Sequence, residues 1–338
     1  MKLSAENLNL RLRHTFTIAR GAQDWAENVL VRLRHGRHLG VGEAAPSEYY
    51  GETQASVRRV CARMSSPLRS ADPFDVEKIL DMLEKKFPRA PSARCAVDLA
   101  LHDLLGKTVG LPLWKYWGLD PTRTPQTSFT IGIASLDKVR EKIAEAERFP
   151  ILKIKLGVRD DMEIIREVRR LCPKKILRVD ANCGWTVNAA IAKAKILEKL
   201  GVEFIEQPIP PGDNAKLRHI QQRIGLPIIT DESSVVPEDI PPLRGCVGGI
   251  NIKLVKCGGL RAALKMIHTA RACGLKVMIG CMIESSILIT AAAHLTPLID
   301  YADLDGNILI LKDPFRGVKL DRNAKLLLPT GAGLGVVA

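Results

Sequence analysis

The chain has no CxxC pair, no HExxH motif and no close pair of histidines, so the common zinc and metalloprotease patterns are excluded. Its eight cysteines are scattered over 338 residues, which fits reduced core or surface thiols and not a disulfide frame. No uncharged stretch is long enough to span a bilayer, and the opening MKLSAENLNLRLRH has no apolar run of the signal-peptide kind. A cytoplasmic location with no membrane partner is the expectation. Aromatic residues are only 4% of the chain, poor material for stacking on bases. No glycine-rich phosphate loop follows an early strand, which argues against an open dinucleotide-binding sheet. The terminal GAGLG (331–335) has no helix after it.

What is present in excess is positive charge, +13. It is spread along the whole chain. The densest runs, RLRHGRH at 32–38 and REVRR at 166–170, are short and read as a hairpin turn and a solvated helix face. Nucleic acid is therefore not expected as a partner. The hydrophobic fraction of 46% supplies a large core, enough for one large domain with a smaller one.

The chain has two textures. Residues 1–60 read as strands and turns, with NVLVRLRHGRHLGVGEAAP forming a meander. Helical spacing follows over 53–87 and 92–107, the second with Ser92 as a candidate cap, and LPLWKYWG (111–118) reads as a turn. From about residue 126, short apolar runs alternate with amphipathic helices: TSFTIGI, ILKIKLG, ILRVDAN, VEFIEQP, LPIITDES, GINIKLVKCGG, KVMIGCMIES and ADLDG. Such alternation implies right-handed βαβ units and a parallel sheet. Eight strands spaced about 25 residues apart close most naturally into a TIM-type barrel. The fold class expected is α/β, a modified (β/α)7β barrel over about 126–315. An α+β cap of 1–120, joined by the tail from about 316 to 338, completes it.

Five of these runs end in charge: Lys155, Asp180, Glu206, Asp231 and Lys253, at steps of 25, 26, 25 and 22 residues. In a barrel, equivalent strand ends form one ring at the mouth, where active sites are built. Three carboxylates then sit on the third to fifth strands, with lysines flanking them on the second and sixth. Buried carboxylates repel one another unless a cation lies between them, and oxygen-only ligands suit Mg²⁺. Such an ion can hold a substrate carboxylate and stabilise the enediolate left when the adjacent α-proton departs. In ILKIKLG, Lys153 and Lys155 share one face of the strand. A neighbouring cation lowers a lysine's pKa and so makes it a base. Lys253, from the opposite wall, can return a proton to the other side. Two bases astride one carbon describe a racemase or epimerase.

The set KIKLG, VDAN, IEQP, TDES and NIKLVKCGG resembles the successive barrel motifs of the enolase superfamily, in its muconate-lactonizing branch. The likeness covers nearly the whole chain, since 1–120 also looks like that family's cap. It implies Mg²⁺ ligands Asp180, Glu206 and Asp231, one ion per subunit, and an acid/base pair Lys155 and Lys253. It implies that Lys153 touches the substrate carboxylate and that Thr130 supplies a substrate-contacting hydroxyl. The Asp-x-Asp pair Asp303 and Asp305 in ADLDG resembles the signature of dipeptide epimerases, where it receives an α-ammonium. A muconate offers no such cation. In the FTIARG segment and beyond, Gln23 stands where the Ala-Glu enzymes of the family carry arginine, with Arg20 as a substitute only if the loop shifts. Asp24 and Glu48 in the same loops favour a basic side chain. The implied function is a dipeptide epimerase for basic or hydrophobic dipeptides, with Ala-Glu disfavoured. The rivals are a cycloisomerase or acid-sugar-type lyase on the same scaffold, and a non-catalytic basic binding protein. Homo-oligomerisation is left open.

Overall fold

The structure is a computed structural model that describes residues 1–18 and 21–338. Three antiparallel strands come first: β1 (Lys2–Ile18), β2 (Gly21–His35) and β3 (His38–Ala44). The β2–β3 turn is tight because Gly36 adopts φ +54°, which side chains resist. Helices α1 (Gln54–Leu68) and α3 (Pro91–Val109) pack on this sheet, and α2 (Val76–Lys86) packs against α3. The sheet meets α3 at backbone distance: a Cβ at Gly40 would lie 1.9 Å from the Ala100 carbonyl oxygen, and one at Gly42 equally close to that of Ala96.

The reading of 53–87 as continuously helical is corrected here. Helix α1 ends at Leu68 and α2 begins at Val76. Between them the Asp72 carboxylate accepts from the Phe74 N–H at 2.9 Å, a local turn that competes with helix, and Pro73 cannot donate. Ser92 is not the cap of α3. The helix starts at Pro91, and Ser92 donates both its hydroxyl and its N–H to the buried carboxylate of Glu52. LPLWKYWG contains a one-turn helix, Leu113–Tyr116.

Eight parallel strands follow: β4 (Phe129–Ile131), β5 (Ile151–Lys155), β6 (Ile176–Asp180), β7 (Val202–Glu206), β8 (Ile228–Thr230), β9 (Gly249–Ile252), β10 (Lys276–Gly280) and β11 (Tyr301–Asp303). They pair in sequence order. The ring closes through a parallel bridge between Thr127 and Ala302, with the Ser128 N–H donating to the Ala302 carbonyl at 3.2 Å. Helices pack outside as expected; after β8 the helical piece is short, two 3₁₀ turns (Pro237–Asp239, Pro241–Leu243). Aliphatic side chains from strands and outer helices form one continuous core, including Ile154, Val179, Ile205, Ile250 and Ile279.

The cap is bolted to the barrel. Asp98 of α3 accepts from the Leu260 and Arg261 N–H groups, and the Arg261 guanidinium spans Glu77, Asp81 and Glu84 of α2. Among the described residues no helix is long and apolar enough to cross a membrane.

Candidate active site

Strand register builds the ring of charge. Lys155 pairs with Asp180, and Asp180 with Glu206, as neighbours across β5, β6 and β7. Asp231 and Lys253 stand one residue beyond β8 and β9. Lys155 on the second barrel strand and Lys253 on the sixth are four strands apart in a ring of eight, on opposite walls.

Each of the three ring carboxylates has one oxygen tied back and one turned inward. Asp180 Oδ1 accepts from the Asn182 N–H at 2.9 Å, while Oδ2 meets Lys155 Nζ at 2.7 Å and Lys153 Nζ at 3.2 Å. Glu206 Oε1 accepts from Asn251 Nδ2 at 2.8 Å; its Oε2 lies 2.7 Å from Lys153 Nζ, out of hydrogen-bonding alignment. Asp231 Oδ1 accepts from Lys256 Nζ at 2.5 Å, while Oδ2 lies 3.0 Å from Lys253 Nζ. Gln207 holds the Asp231 backbone through its own side-chain oxygen, from a residue forced to φ +33°.

All three carboxylates are buried. Burial pushes the Glu206 carboxyl up to about 7, helped by the neighbouring Asp180 charge. Burial acts on Asp180 and Asp231 in the same sense but is outweighed, by Lys155 and Lys153 in one case and Lys253 and Lys256 in the other, so both stay below the usual carboxylate range. Lys253 and Lys153 are buried too, yet the facing carboxylates, Asp231 and Asp303 foremost, raise both ammonium groups above the ordinary lysine value.

The donor set fits a hard divalent cation. Three anionic oxygens from consecutive strands face the centre of the mouth, their partner oxygens fixed by Asn182, Asn251 and Lys256. Lysine ammonium groups now lie against those inward oxygens. Among the described residues, no three carboxylates are as close together as ligands around one ion. Binding an ion here would need the three carboxylates to draw together in place of their lysine contacts.

The Asp-x-Asp pair divides its work. Asp303 Oδ2 is the counter-ion of Lys153 at 2.7 Å, and Oδ1 accepts from Ser128 Oγ at 2.5 Å. Asp305 Oδ2 accepts from the Thr130 N–H at 2.6 Å, and Oδ1 has the Cys281 thiol at 3.9 Å. Among the described residues no ammonium or guanidinium reaches Asp305. Burial, then the Asp303 charge, lifts its carboxyl to about 7.

A cavity of about 610 Å³ opens over this floor, between cap and barrel. Lys153, Lys155, Lys253, Asp231, Thr130, Asp303 and Asp305 line it, and so do Gln23 and Glu48 from the cap. Asp24 does not. Its carboxylate accepts from Thr15 Oγ1 at 2.6 Å, across a β1–β2 hairpin whose register shifts between Arg11 and Phe16. Glu284 is also absent from the lining; its carboxylate folds back on the Met282 N–H at 2.9 Å. Arg20 lies outside the described residues. Residues passed over in the sequence are the tethers Lys256 and Asn251, both inside NIKLVKCGG, and the mouth aromatics Trp25, Tyr49 and Tyr50.

Residues 4–118 match the model of the mandelate racemase / muconate lactonizing enzyme N-terminal domain, and residues 136–338 match the enolase C-terminal domain-like model. The chain belongs to the mandelate racemase / muconate lactonizing enzyme family. Its similarity within that family runs to full length. It is 41% identical to the L-Ala-D/L-amino acid epimerase of Maribacter sp., over 99% of each chain. It is 41% identical to the L-Ala-D/L-Glu epimerase of Bacteroides thetaiotaomicron, over all of this chain and 88% of that one. The dipeptide epimerase from Cytophaga hutchinsonii, complexed with Mg and D-Ala-L-Val, superposes with a TM-score of 0.95 at 28% identity, over 99% of this chain and 95% of that one. The dipeptide epimerase from Methylococcus capsulatus, complexed with Mg and L-Arg-D-Lys, gives 0.92 at 32% identity, over the whole of both chains. The barrel with its antiparallel cap is the fold of this family.

Proposed function

We propose that this family member is a cytoplasmic, Mg²⁺-dependent dipeptide epimerase that inverts the α-carbon next to the substrate carboxylate. The observation that carries this reading is the pair Lys155 and Lys253 on opposite walls, with three inward carboxylate oxygens between them. Asp180, Glu206 and Asp231 would hold the ion. When bound, Mg²⁺ supplies the positive charge that balances the substrate carboxylate as negative charge builds on it. Charge count supports the assignment. Five buried carboxylates (Asp180, Glu206, Asp231, Asp303, Asp305) face four ammonium groups (Lys153, Lys155, Lys253, Lys256). A dication added to that set favours loss of a proton from one lysine, which creates the base.

One lysine takes the α-proton and leaves a planar carbon. The other, already protonated, delivers a proton to the opposite face, and the bond broken on one side is replaced on the other. Lys153 keeps a positive charge beside the substrate carboxylate and its neighbouring base. Asp305, with Asp303, receives the α-ammonium of the first residue, and Thr130, hydrogen-bonded to both, offers its hydroxyl to the substrate. The cap of about residues 1–120, with the tail, roofs the second side chain. Gln23 and Glu48 supply no positive charge there, and Trp25, Tyr49 and Tyr50 offer aromatic surface. A basic or hydrophobic second residue suits this wall better than glutamate.

The test is ¹H NMR of a dipeptide library in D₂O with Mg²⁺. Loss of the α-proton signal of the carboxyl-terminal residue, with both epimers appearing, is the expected result. No exchange with any free-amino dipeptide would overturn the reading.

A further inference from the structure

Glu43, near the end of β3, is fully buried although it belongs to the cap. Its carboxylate reaches across the domain boundary. Oε1 accepts from the Ser285 N–H at 3.0 Å and Oε2 from the Ser285 hydroxyl at 2.5 Å and the Leu288 N–H at 3.3 Å. Oε1 also accepts from Asn28 Nδ2 of β2 at 2.7 Å, and that same amide donates to the Ile283 carbonyl at 3.1 Å. The Asn28 carbonyl in turn accepts from Gln54 Nε2 at 2.7 Å. A hydrogen-bonded chain thus runs from the cap, through Asn28 and Glu43, into the loop after β10.

That loop forms one side of the catalytic cavity. Cys281, Met282 and Ile283 line it, and Met282 Sδ lies 3.9 Å from Lys253 Nζ. Glu43 itself touches no reacting group. Lys155, on the other wall, ends strand β5 and has Asp180 as its counter-ion, both outside this loop.

We infer that Glu43 is a positioning residue through which the cap holds loop 281–285 against Lys253, so that cap docking sets one of the two half-reactions and not the other. The inference rests on the two-lysine reading above. Its physical basis is the cost of misplacement: an error near 1 Å in a reacting group can lower a rate by about 100-fold. A carboxylate accepting four hydrogen bonds in a dry site fixes the loop firmly. A carboxamide would turn an N–H group toward the Ser285 donors and loosen it.

The experiment measures deuterium incorporation from each epimer separately, in wild type and in Glu43→Gln, with Lys155→Ala and Lys253→Ala identifying which lysine serves which epimer. Glu43→Gln should lower the Lys253-dependent exchange by at least about tenfold more than the Lys155-dependent exchange. Glu43→Asp, which keeps a carboxyl group, should recover part of the loss. Should Glu43→Gln fail to fold, Ser285→Ala removes one of its partners and should show the same asymmetry in milder form. Equal losses from both epimers, or no loss from either, would overturn the inference. Absence of exchange in wild type would instead strike the epimerase reading itself.

Discussion

Asp305→Asn tests the substrate class most directly. Asp305 is the carboxylate of the Asp-x-Asp pair that no ammonium neutralises, for Asp303 already serves Lys153. Removing one partner of a buried charge pair costs about 3–5 kcal/mol, because the other charge is left without compensation. At about 1.4 kcal/mol per decade, that corresponds to a fall of about 100- to 4,000-fold in kcat/KM for a free-amino dipeptide. The variant should lose this while retaining Mg²⁺ affinity, since its contacts are with Thr130 and Cys281 and not with the ring. An N-acetyl dipeptide should be a poor substrate of the wild type by a similar factor, and the variant should discriminate far less between the two. The pH dependence follows from burial. Burial and the Asp303 charge lift the Asp305 carboxyl to about 7, so kcat/KM for a free-amino dipeptide should rise as pH increases through 7. The assay is polarimetric or NMR-based epimerisation of matched free and N-acetylated dipeptides between pH 5.5 and 8.5, conditions chosen to bracket roughly that pKa. Unchanged discrimination in Asp305→Asn would refute the ammonium assignment.

EDTA should abolish turnover and added Mg²⁺ restore it, and Asp180→Asn, Glu206→Gln and Asp231→Asn should each lower Mg²⁺ affinity measured by calorimetry; full activity without metal would remove the site. Lys155→Ala should stop exchange from one epimer and leave slow exchange from the other, with Lys253→Ala the reverse; full turnover both ways in either variant would rule out the two-base scheme. Ala-Glu should be a worse substrate than the best of Ala-Lys, Ala-Arg, Ala-Leu and Ala-Phe by kcat/KM, and the opposite ranking would refute the reading of the cap wall. Glu284 supplies a stability test: burial holds its carboxyl near 8 in the fold, against an ordinary value of 4.5. The folded state therefore binds the extra proton between these values, and stability should fall as pH rises through that window; urea midpoints at pH 6 and 8.5 should converge in Glu284→Gln.

Much of the barrel was legible because strand–helix alternation is a local signal, and the charges ending the strands fell on one ring as their spacing implied. Local signals also misled. Helical spacing over 53–87 hid the break at Asp72 and Pro73, since each half is amphipathic by itself. Ser92 has the right type for a cap, but the competing acceptor, Glu52, comes from 40 residues away. Asp24 was read with Gln23 and Glu48 because it belongs to the same capping loops. The register shift in the β1–β2 hairpin and the Thr15 hydroxyl turn it aside.

The tethers were the harder part. A motif such as NIKLVKCGG places Asn251, Lys253 and Lys256 close along the chain, but not which carboxylate oxygen each one binds. That depends on neighbouring strands: Asn251 fixes Glu206 from 45 residues away, and Lys256 fixes Asp231 from 25. Glu43 is the extreme case, with its barrel partner Ser285 242 residues distant. Its burial could not be read from GEAAP, whose setting looks like an ordinary strand end. A buried carboxyl group is costly unless hydrogen bonds satisfy it, and Glu43 has four donors. Here it holds the loop that carries Met282 beside Lys253. The ring of charge and its cap-borne brace thus arise differently: the ring comes from residues of one strand register, and the brace from a contact between cap and barrel.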